Sequence, residues 1–266
     1  ERLKKQEGIP TVPKERRIRP IHIWQSAAAI LFLLLASSVY LSTVGTKAET
    51  DLLQQYIPIA EMRSLTLPDG TKVQLNSKST LLYPHEFTGD SRSVFLLGEA
   101  NFKVKPDKKR PFIVKSNDLQ ITALGTEFNV SAYPESQEIA TTLISGSIRV
   151  DYNNLTTSVI LHPNEQFAYN RNNKKYDLSN PDMDDVTAWQ RGELVLQKMT
   201  LTDIINVLER KYPYAFVYSI KNLKNDRFSF RFKDNAPLEE VMEIIVNVVG
   251  QMDYRIVEDK CYLTRI

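Results

Sequence analysis

Cysteine and histidine are scarce in this 266-residue sequence, which has one cysteine and three histidines. The single cysteine, Cys261, excludes an intrachain disulfide framework, and we expect it to be a small buried apolar residue. His22, His85 and His162 are scattered along the sequence, so neither a metal-ligand cluster nor a histidine-based catalytic triad is visible. The sequence therefore predicts a protein that is not an enzyme and has no metal site and no cofactor.

An excess of charge of one sign is also lacking. The chain has 34 Lys and Arg against 32 Asp and Glu, a formal net charge of +2, and the small positive excess lies in the first twenty residues. The sequence therefore has no basic surface that would predict nucleic-acid binding. The segment Gly125-Thr-Glu-Phe128 lacks the spaced glycines and the lysine that cradle phosphates, so nucleotide binding is unsupported. With 42% hydrophobic and 25% charged residues, the composition is that of folded domains.

One long stretch, residues 21–44, contains no Asp, Glu, Lys or Arg. As a helix it would be about 36 Å long, enough to cross a hydrocarbon layer of about 30 Å. The stretch predicts a single transmembrane helix, with Trp24 and Tyr40 at its two interfaces. The alternatives are the apolar core of a cleaved secretory signal and a buried soluble helix. The apolar core of a secretory signal is shorter than this stretch, and a buried soluble helix would show a polar stripe.

The flanks of this stretch indicate its orientation. Residues 1–20 are a basic head, and cationic flanks stay in the cytoplasm. We therefore expect a cytoplasmic juxtamembrane segment at residues 1–20 and the remaining chain on the other side of the membrane. The cationic residues of the head are Arg2, Lys4, Lys5, Lys14, Arg16, Arg17 and Arg19.

After a predicted linker, residues 45–64, short alternating apolar runs separated by turn residues predict an all-β domain over residues 65–180. The turn Pro68-Asp-Gly70 is typical, because proline presets φ and glycine accepts a positive φ. Strand number and turn spacing fit either a β-sandwich or a short β-solenoid, and the even strand lengths favour the solenoid. Strands are predicted at residues 65–67, 71–75, 93–97, 102–104, 112–114, 119–123, 127–132, 141–150 and 158–161.

A different pattern over residues 188–266 predicts a small α+β module. Its order is β-α-β-β-α-β with one extra strand at the end, which indicates one sheet with both helices on one face. Thr200 has the chemistry of a helix N-cap, and Gly250 is placed to end the second helix. The predicted core-facing residues of the two helices are Leu201, Ile204, Ile205, Leu208, Val241, Ile244, Ile245 and Val248.

Several motifs give residues 65–166 a resemblance to the periplasmic domain of FecR-type transmembrane anti-sigma regulators. The motifs are Leu67-Pro-Asp-Gly-Thr71, Arg92, Gly98-Glu-Ala100, Pro111-Phe112, Leu124-Gly-Thr-Glu-Phe-Asn-Val130 and Leu161 to Gln166. Asn164 stands where the family commonly has glycine, and asparagine can also take a positive φ. Residues 189–266 are similar to the module that follows this domain, which resembles the signalling domains of secretins and TonB-dependent transporters. Trp189-Gln-Arg-Gly192, Leu208-Glu-Arg210 and Pro237-Leu238 carry that likeness.

The resemblance implies a single-pass inner-membrane signal transducer, with its N-terminus cytoplasmic and its C-terminus periplasmic. It would relay the state of an outer-membrane TonB-dependent transporter, sensed through that transporter's N-terminal signalling domain, to an extracytoplasmic-function sigma factor. The sigma-binding region would precede Glu1, which is not a methionine, and regulated proteolysis would release it. A membrane-anchored structural or glycan-binding envelope adaptor with a secretin-like assembly module is the alternative.

Two groups of candidate site residues follow. The resemblance implies self-cleavage at the Gly125-Thr126 bond, where the threonine hydroxyl would attack the preceding carbonyl; the alternative is a tight-turn glycine. Trp189, Tyr262 and Arg265 have the chemistry of interface anchors, against the alternative of a packed aromatic and a solvated charge. The last strand is one candidate edge for strand addition by a partner, and the sequence does not select among the edges.

Overall fold

The computed structural model describes residues 20–45, 51–218, 226–233 and 236–265. The chain divides into two compact units, residues 1–50 and residues 51–266. The first contains helix α1 (Pro20–Gly45), which covers the apolar stretch predicted as a helix. Among the described residues, no helix combines the length and the apolarity that crossing a membrane requires. The basic head up to Arg19 lies outside the described residues.

Residues 51–179 form thirteen β-strands. They are β1 (Leu52–Tyr56), β2 (Arg63–Thr66), β3 (Lys72–Leu75), β4 (Thr80–Pro84), β5 (Arg92–Lys103), β6 (Phe112–Lys115), β7 (Gln120–Ala123), β8 (Glu127–Ala132), β9 (Glu138–Ser145), β10 (Ile148–Tyr152), β11 (Thr157–Leu161), β12 (Gln166–Asn170) and β13 (Tyr176–Ser179).

All thirteen strands belong to one sheet that curls like half a barrel around strand β5. The first half of β5 pairs with β4 and β6, and its second half pairs with β3 and β8. Strands β1, β4, β6, β7, β10 and β11 continue the first half, which we name sheet A. Strands β2, β3, β8, β9, β12 and β13 continue the second half, which we name sheet B.

The expected solenoid is wrong. A solenoid stacks successive coils, whereas every pairing in this sheet is antiparallel except that of β5 with β6. The predicted linker is also partly wrong, because β1 pairs with β4 and Ile57 is buried. The strand predicted at residues 141–150 is two strands, β9 and β10, separated by Gly146 at φ 92°. By contrast, the turn at Pro68-Asp-Gly70 is confirmed, with the Gly70 N–H donating to the Leu67 carbonyl at 2.8 Å.

The inner faces of sheets A and B enclose one hydrophobic cluster. Phe102, at the end of β5, stacks on Phe128 with ring centroids 5.4 Å apart and lies 5.9 Å from Phe112. A second, separate cluster lies within residues 194–263. The predicted division at residues 180–188 falls between them. Large buried members of the first cluster are Leu75, Leu81, Leu96, Phe102, Phe112, Ile121, Phe128 and Phe167.

Residues 183–265 follow the predicted order of elements. A short helix α2 (Met183–Thr187) and a 3₁₀ turn (Ala188–Arg191) lead into the module. The module elements are β14 (Leu194–Thr200), α3 (Leu201–Lys211), β15 (Ala215–Tyr218), β16 (Arg227–Phe232), α4 (Leu238–Val249), β17 (Met252–Val257) and β18 (Lys260–Arg265).

The expectation of a single sheet is corrected, because the described residues of the module form two. Among them, strand β14 pairs with β16 alone, whereas β15, β18 and β17 form a separate three-stranded sheet. Strand β18 lies in the middle of that sheet, parallel to β15 and antiparallel to β17. The last strand therefore has neighbours on both sides, and among the described strands of this sheet the free edges belong to β15 and β17.

The helix ends and most of the helix faces match the sequence pattern. The Thr200 hydroxyl accepts the N–H of Asp203, and α4 ends at Gly250, which has a φ of 69°. All four predicted core residues of α3 are buried. On α4, however, Ile244 and Val248 are 40% and 58% exposed. This helix is apolar on more than one side, so periodicity could not identify its inner face.

A buried ion pair anchors the turn after β2. The Arg92 guanidinium donates to the Asp69 carboxylate at 2.7 Å, and both side chains are almost completely buried. The same guanidinium donates to the carbonyls of Arg110 and Lys105. Asp69 also accepts the N–H and the hydroxyl of Thr71. One carboxylate thus holds the turn, and one arginine ties it to the start of β5 and to the loop before β6.

We expect Asp69→Asn to lower the free energy of unfolding by about 3 kcal/mol or more, because it leaves the Arg92 charge buried without its counter-ion. Urea unfolding of the fragment 51–266 would measure the change. Glu61→Ala is the control: Glu61 pairs with Arg63 at 3.6 Å with both side chains about half exposed, and the expected effect is below about 1 kcal/mol. Equal losses in the two variants would contradict the assignment.

Candidate functional site

A row of polar side chains crosses the outer face of sheet B. The strand registers place its members side by side, from β2 at one edge to β13 at the other. Its central members, Asn101, Asn129 and Thr142, are buried although they lie on the outer face. The module covers them. The row consists of Ser64, Gln74, Asn101, Asn129, Thr142, Gln166 and Ser179.

Glu99 of β5 lies beside this row and is held by two amides. One carboxylate oxygen accepts the side-chain N–H of Asn76 at 2.8 Å, and the other accepts that of Asn129 at 3.0 Å. The backbone of Glu99 is bound to the hydroxyl of Ser79, which accepts the Glu99 N–H and donates to the Glu99 carbonyl. Residues from two segments, the β3–β4 loop and strand β8, therefore fix the backbone and the carboxylate of Glu99.

Trp189 joins the module to this network. Its indole N–H donates to the side-chain oxygen of Asn129 at 3.3 Å, so Asn129 bridges Glu99 and Trp189. Trp189 was predicted as an anchor for an external partner. The structure places it half-buried against sheet B, where its hydrogen-bond partner belongs to the same chain.

A second contact between the module and sheet B centres on Arg210, near the end of α3. Its guanidinium stacks on the ring of Tyr133 at 3.8 Å and donates to the Glu135 carboxylate at 2.6 Å. The Arg210 carbonyl accepts the N–H of Ala60 at 3.0 Å. We use the name module seam for the contact formed by Glu99, Asn129, Tyr133, Trp189 and Arg210.

The segment that carries Trp189 is fixed to the module by charge. Arg231 of β16 donates to the carboxylates of Asp184, Asp185 and Glu193, and Arg191 pairs with Asp184 and Glu193. These five side chains join α2 and the 3₁₀ turn to the β14–β16 sheet. A displacement of the module would therefore move Trp189 with it.

A cavity of about 250 Å³ lies at the module seam, and its lining includes Asn76, Glu99, Ser131, Trp189 and Arg210. Desolvation raises the pKa of Glu99 above its ordinary value, and the amides of Asn129 and Asn76 and the charge of Arg210 oppose that rise. Among the described residues, no group of His, Cys, Asp and Glu could hold a metal ion. The arrangement is suited to holding two parts of the chain together.

Tyr262 and Arg265 lie elsewhere, on the three-stranded sheet. Tyr262 is half-buried between Val217 of β15 and Arg255 of β17, whose guanidinium lies 5.6 Å from its ring. Arg265 is exposed and donates to Gln251 at 3.3 Å. We name the row Val217, Tyr262 and Arg255 the open face of the module. Cys261, next to Tyr262, is buried on the opposite side of the strand as expected.

Gly125 and Thr126 lie between β7 and β8. Gly125 has a φ of 153°, and a Cβ at this position would lie 2.8 Å from the Cα of Pro106. The Thr126 hydroxyl is buried and has no hydrogen-bond partner among the described residues. The Thr126 backbone carbonyl accepts the N–H of Val104 at 2.9 Å. Glycine is required here for space, and neither cleavage nor a base is visible in this geometry.

The module seam was not predicted, although its parts were. Glu99 is in Gly98-Glu-Ala100, Asn129 is in Leu124 to Val130, and Trp189 opens Trp189-Gln-Arg-Gly192. These motifs are separated by 30 and 60 residues, so only the fold brings them together. A signal did exist for two of them, because Glu99 and Asn129 are polar side chains next to apolar strand residues.

The raised pKa of Glu99 makes stability depend on pH. Stabilisation by the protonated carboxyl is complete below the ordinary value of 4.5 and is lost as the pH rises through the folded-state pKa. We expect the free energy of unfolding of the wild type, minus that of Glu99→Gln, to fall over this range in urea titrations. A flat or rising difference for Glu99→Gln would contradict the assignment.

Comparison with known proteins agrees with this architecture. The family model described as FecR protein matches residues 57–149, and the one described as FecR, C-terminal matches residues 193–263. Crystal structures of a candidate anti-sigma factor from Parabacteroides distasonis ATCC 8503, at 1.65 Å and 2.50 Å resolution, are each 34% identical to this chain with a TM-score of 0.75. They match 80% and 81% of this chain and 99% of the solved chains. No curated protein matches it. The chain belongs to the FecR family.

Proposed function

We propose that this protein is an anti-sigma signal transducer that reads the state of a TonB-dependent outer-membrane transporter in the periplasm. Its partners would be the transporter's N-terminal signalling domain and an extracytoplasmic-function sigma factor. The observation that carries the proposal is the succession of a FecR domain and a FecR C-terminal module in one chain. The solved relative named as a candidate anti-sigma factor supports it.

The proposal includes a single-span anchor in the inner membrane. It is supported by the uncharged residues 21–44 and by the seven cationic residues before them. This orientation leaves the N-terminus in the cytoplasm and residues 51–266 in the periplasm. The finding that would contradict it is recovery of the full chain in the soluble fraction of a Gram-negative cell.

The open face of the module is the proposed contact for the transporter. Val217 is 44% exposed, and Tyr262 presents an aromatic ring between it and a cation, a combination common at interface hot spots. Trp189 already has a partner within the chain, so we assign it to the module seam. Arg265, at the end of the same strand as Tyr262, would contribute a charged contact at the rim.

Tyr262→Ala should lower the capture of transporter signalling domains at least tenfold, because truncating an aromatic anchor typically costs about 2 kcal/mol or more. The measurement is a pull-down from Gram-negative envelope extract with residues 46–266 as bait, quantified by mass spectrometry. Leu155→Ala is the matched control, since Leu155 is 56% exposed on the β10–β11 turn. Equal capture by both variants would contradict the role of the open face.

The module seam would connect sensing to the rest of the chain. A partner that displaces the module must break the Trp189–Asn129 and Arg210–Glu135 contacts, and Asn129 lies on β8, three residues after Thr126. A change at the seam therefore reaches the strand that follows the Gly125-Thr126 bond. Regulated proteolysis, which we propose as the output step, would act on a chain altered in this way.

Self-cleavage at Gly125-Thr126 is part of this proposal. The Thr126 oxygen would attack the Gly125 carbonyl carbon, the C–N bond would break as the amine takes a proton, and water would hydrolyse the resulting ester. The buried hydroxyl without a described partner supports it. We expect purified wild-type protein to give two fragments on a denaturing gel. The Thr126→Ala variant should give one full-length band. A single full-length band for the wild type would contradict cleavage. Thr122→Ala, another buried hydroxyl, is the control.

A further inference from the structure

Strand β1 forms an edge of sheet A that no other described strand covers. It pairs only with β4, so its second row of backbone N–H and C=O groups faces outward. Natural edge strands are usually protected by lysine, proline or a bulge. The sequence of β1, Leu-Leu-Gln-Gln-Tyr, contains none of these. The Gln55 side-chain amide donates an exposed hydrogen bond to the Tyr56 carbonyl on this strand at 3.3 Å.

The outer face next to β1 is apolar. Leu52 and Tyr56 are 41% and 49% exposed, and the registers of β1, β4 and β5 place them on the same face as Leu82, Phe95 and Leu97. The last three residues also line an open groove on that face. An exposed apolar face that continues to an unpaired edge indicates an interaction surface.

The opposite edge of sheet A differs. Strand β11 is also unprotected and carries the exposed Ile160, but the residues next to Ile160 on the outer face are the Arg149–Asp151 ion pair at 3.1 Å, Thr122 and Ser158. On the outer face of sheet A, exposed apolar side chains extend from the edge strand onto the neighbouring strands at the β1 edge and not at the β11 edge. This selects β1 over β11 as the interaction edge.

The chemistry of β1 selects its own copy as the partner. The strand carries no charge, so a charged partner strand would find no counter-ion on it. Antiparallel pairing of β1 with itself is isologous: it places Gln54 opposite Gln54 and Leu52 opposite Tyr56 at both ends. Aromatic and aliphatic cross-strand pairs are stabilising, and the central amides can bond to each other.

We propose that β1 is a self-association edge, where two copies of this protein pair their β1 strands antiparallel about Gln54 and join two sheets A into one. The contact is small, below the area of a stable soluble dimer, so it forms mainly where copies are concentrated. Only this need for a high local concentration of copies rests on the proposed function, through its membrane anchor.

Single cysteines test the register in the full chain. Cys261 is completely buried, so an introduced thiol is the reactive one. Gln54→Cys should give a disulfide-linked dimer after mild oxidation of membranes, in at least tenfold higher yield than Leu53→Cys or Gln55→Cys. In this register, residue 53 of one copy lies opposite residue 55 of the other. The two copies of residue 53, and likewise those of residue 55, would then be separated by more than the Cα distance of about 7 Å that a disulfide tolerates. Equal yields at the three positions, or no dimer at any, would overturn the proposal.

A second variant tests the edge itself. Adding Tyr56→Lys to Gln54→Cys should lower the dimer yield at least fivefold, because it removes the Leu52–Tyr56 pairs and adds charge to the edge. Ile160→Lys is the matched control, as Ile160 is 60% exposed on β11. Loss of the dimer in the control instead would assign the contact to β11 and overturn the proposal.

Fractionation of the same cells separates this inference from the proposed function. A chain found in the soluble fraction refutes the membrane anchor, and the cross-link yields of that fraction still decide whether β1 pairs with itself. A membrane-bound chain whose cross-link yield at position 54 does not exceed the yields at positions 53 and 55 refutes the self-association and does not contradict the membrane anchor.

Discussion

Strand β5 is the constraint on which the rest of the structure depends. It must satisfy backbone hydrogen bonds on both edges in both halves of a curled sheet, and it changes from sheet A to sheet B at Gly98. Glycine is required there, because φ is 104° and a Cβ would clash with the Ser79 hydroxyl oxygen. The same close approach lets Ser79 bind the backbone of Glu99. The bend that closes the core therefore also positions the carboxylate of the module seam.

From this strand the functional parts follow in order. Sheet B presents its polar row outward, the row orients Glu99 and Asn129, and Asn129 receives Trp189 from a segment that the Arg231 ion pairs attach to the module. The module keeps its three-stranded sheet uncovered on the face that carries Tyr262. A chain that must respond to one partner while holding its own parts together needs both surfaces, and in this protein they lie on different elements of the same module.

Local chemistry could be predicted from the sequence, and pairing could not. The Pro68-Asp-Gly70 turn, the Thr200 cap and the positive φ of Asn164, 69°, depend on a few neighbouring residues and are confirmed. The curled sheet was missed because strand length does not determine strand order. Strand β1 was missed because two glutamines hide its alternation. The module seam depends on contacts between residues 30 and 60 positions apart, and no spacing rule connects them.

The polar row beneath the module has an evolutionary consequence. Amides and hydroxyls exposed by the loss of a neighbouring module would simply be hydrated, whereas an apolar face would promote aggregation. The β-domain can therefore lose or exchange its C-terminal partner in a single genetic step without first evolving a new surface. A seam of this chemistry allows modules to be recombined, and a partner that recognises only the module can be replaced together with it.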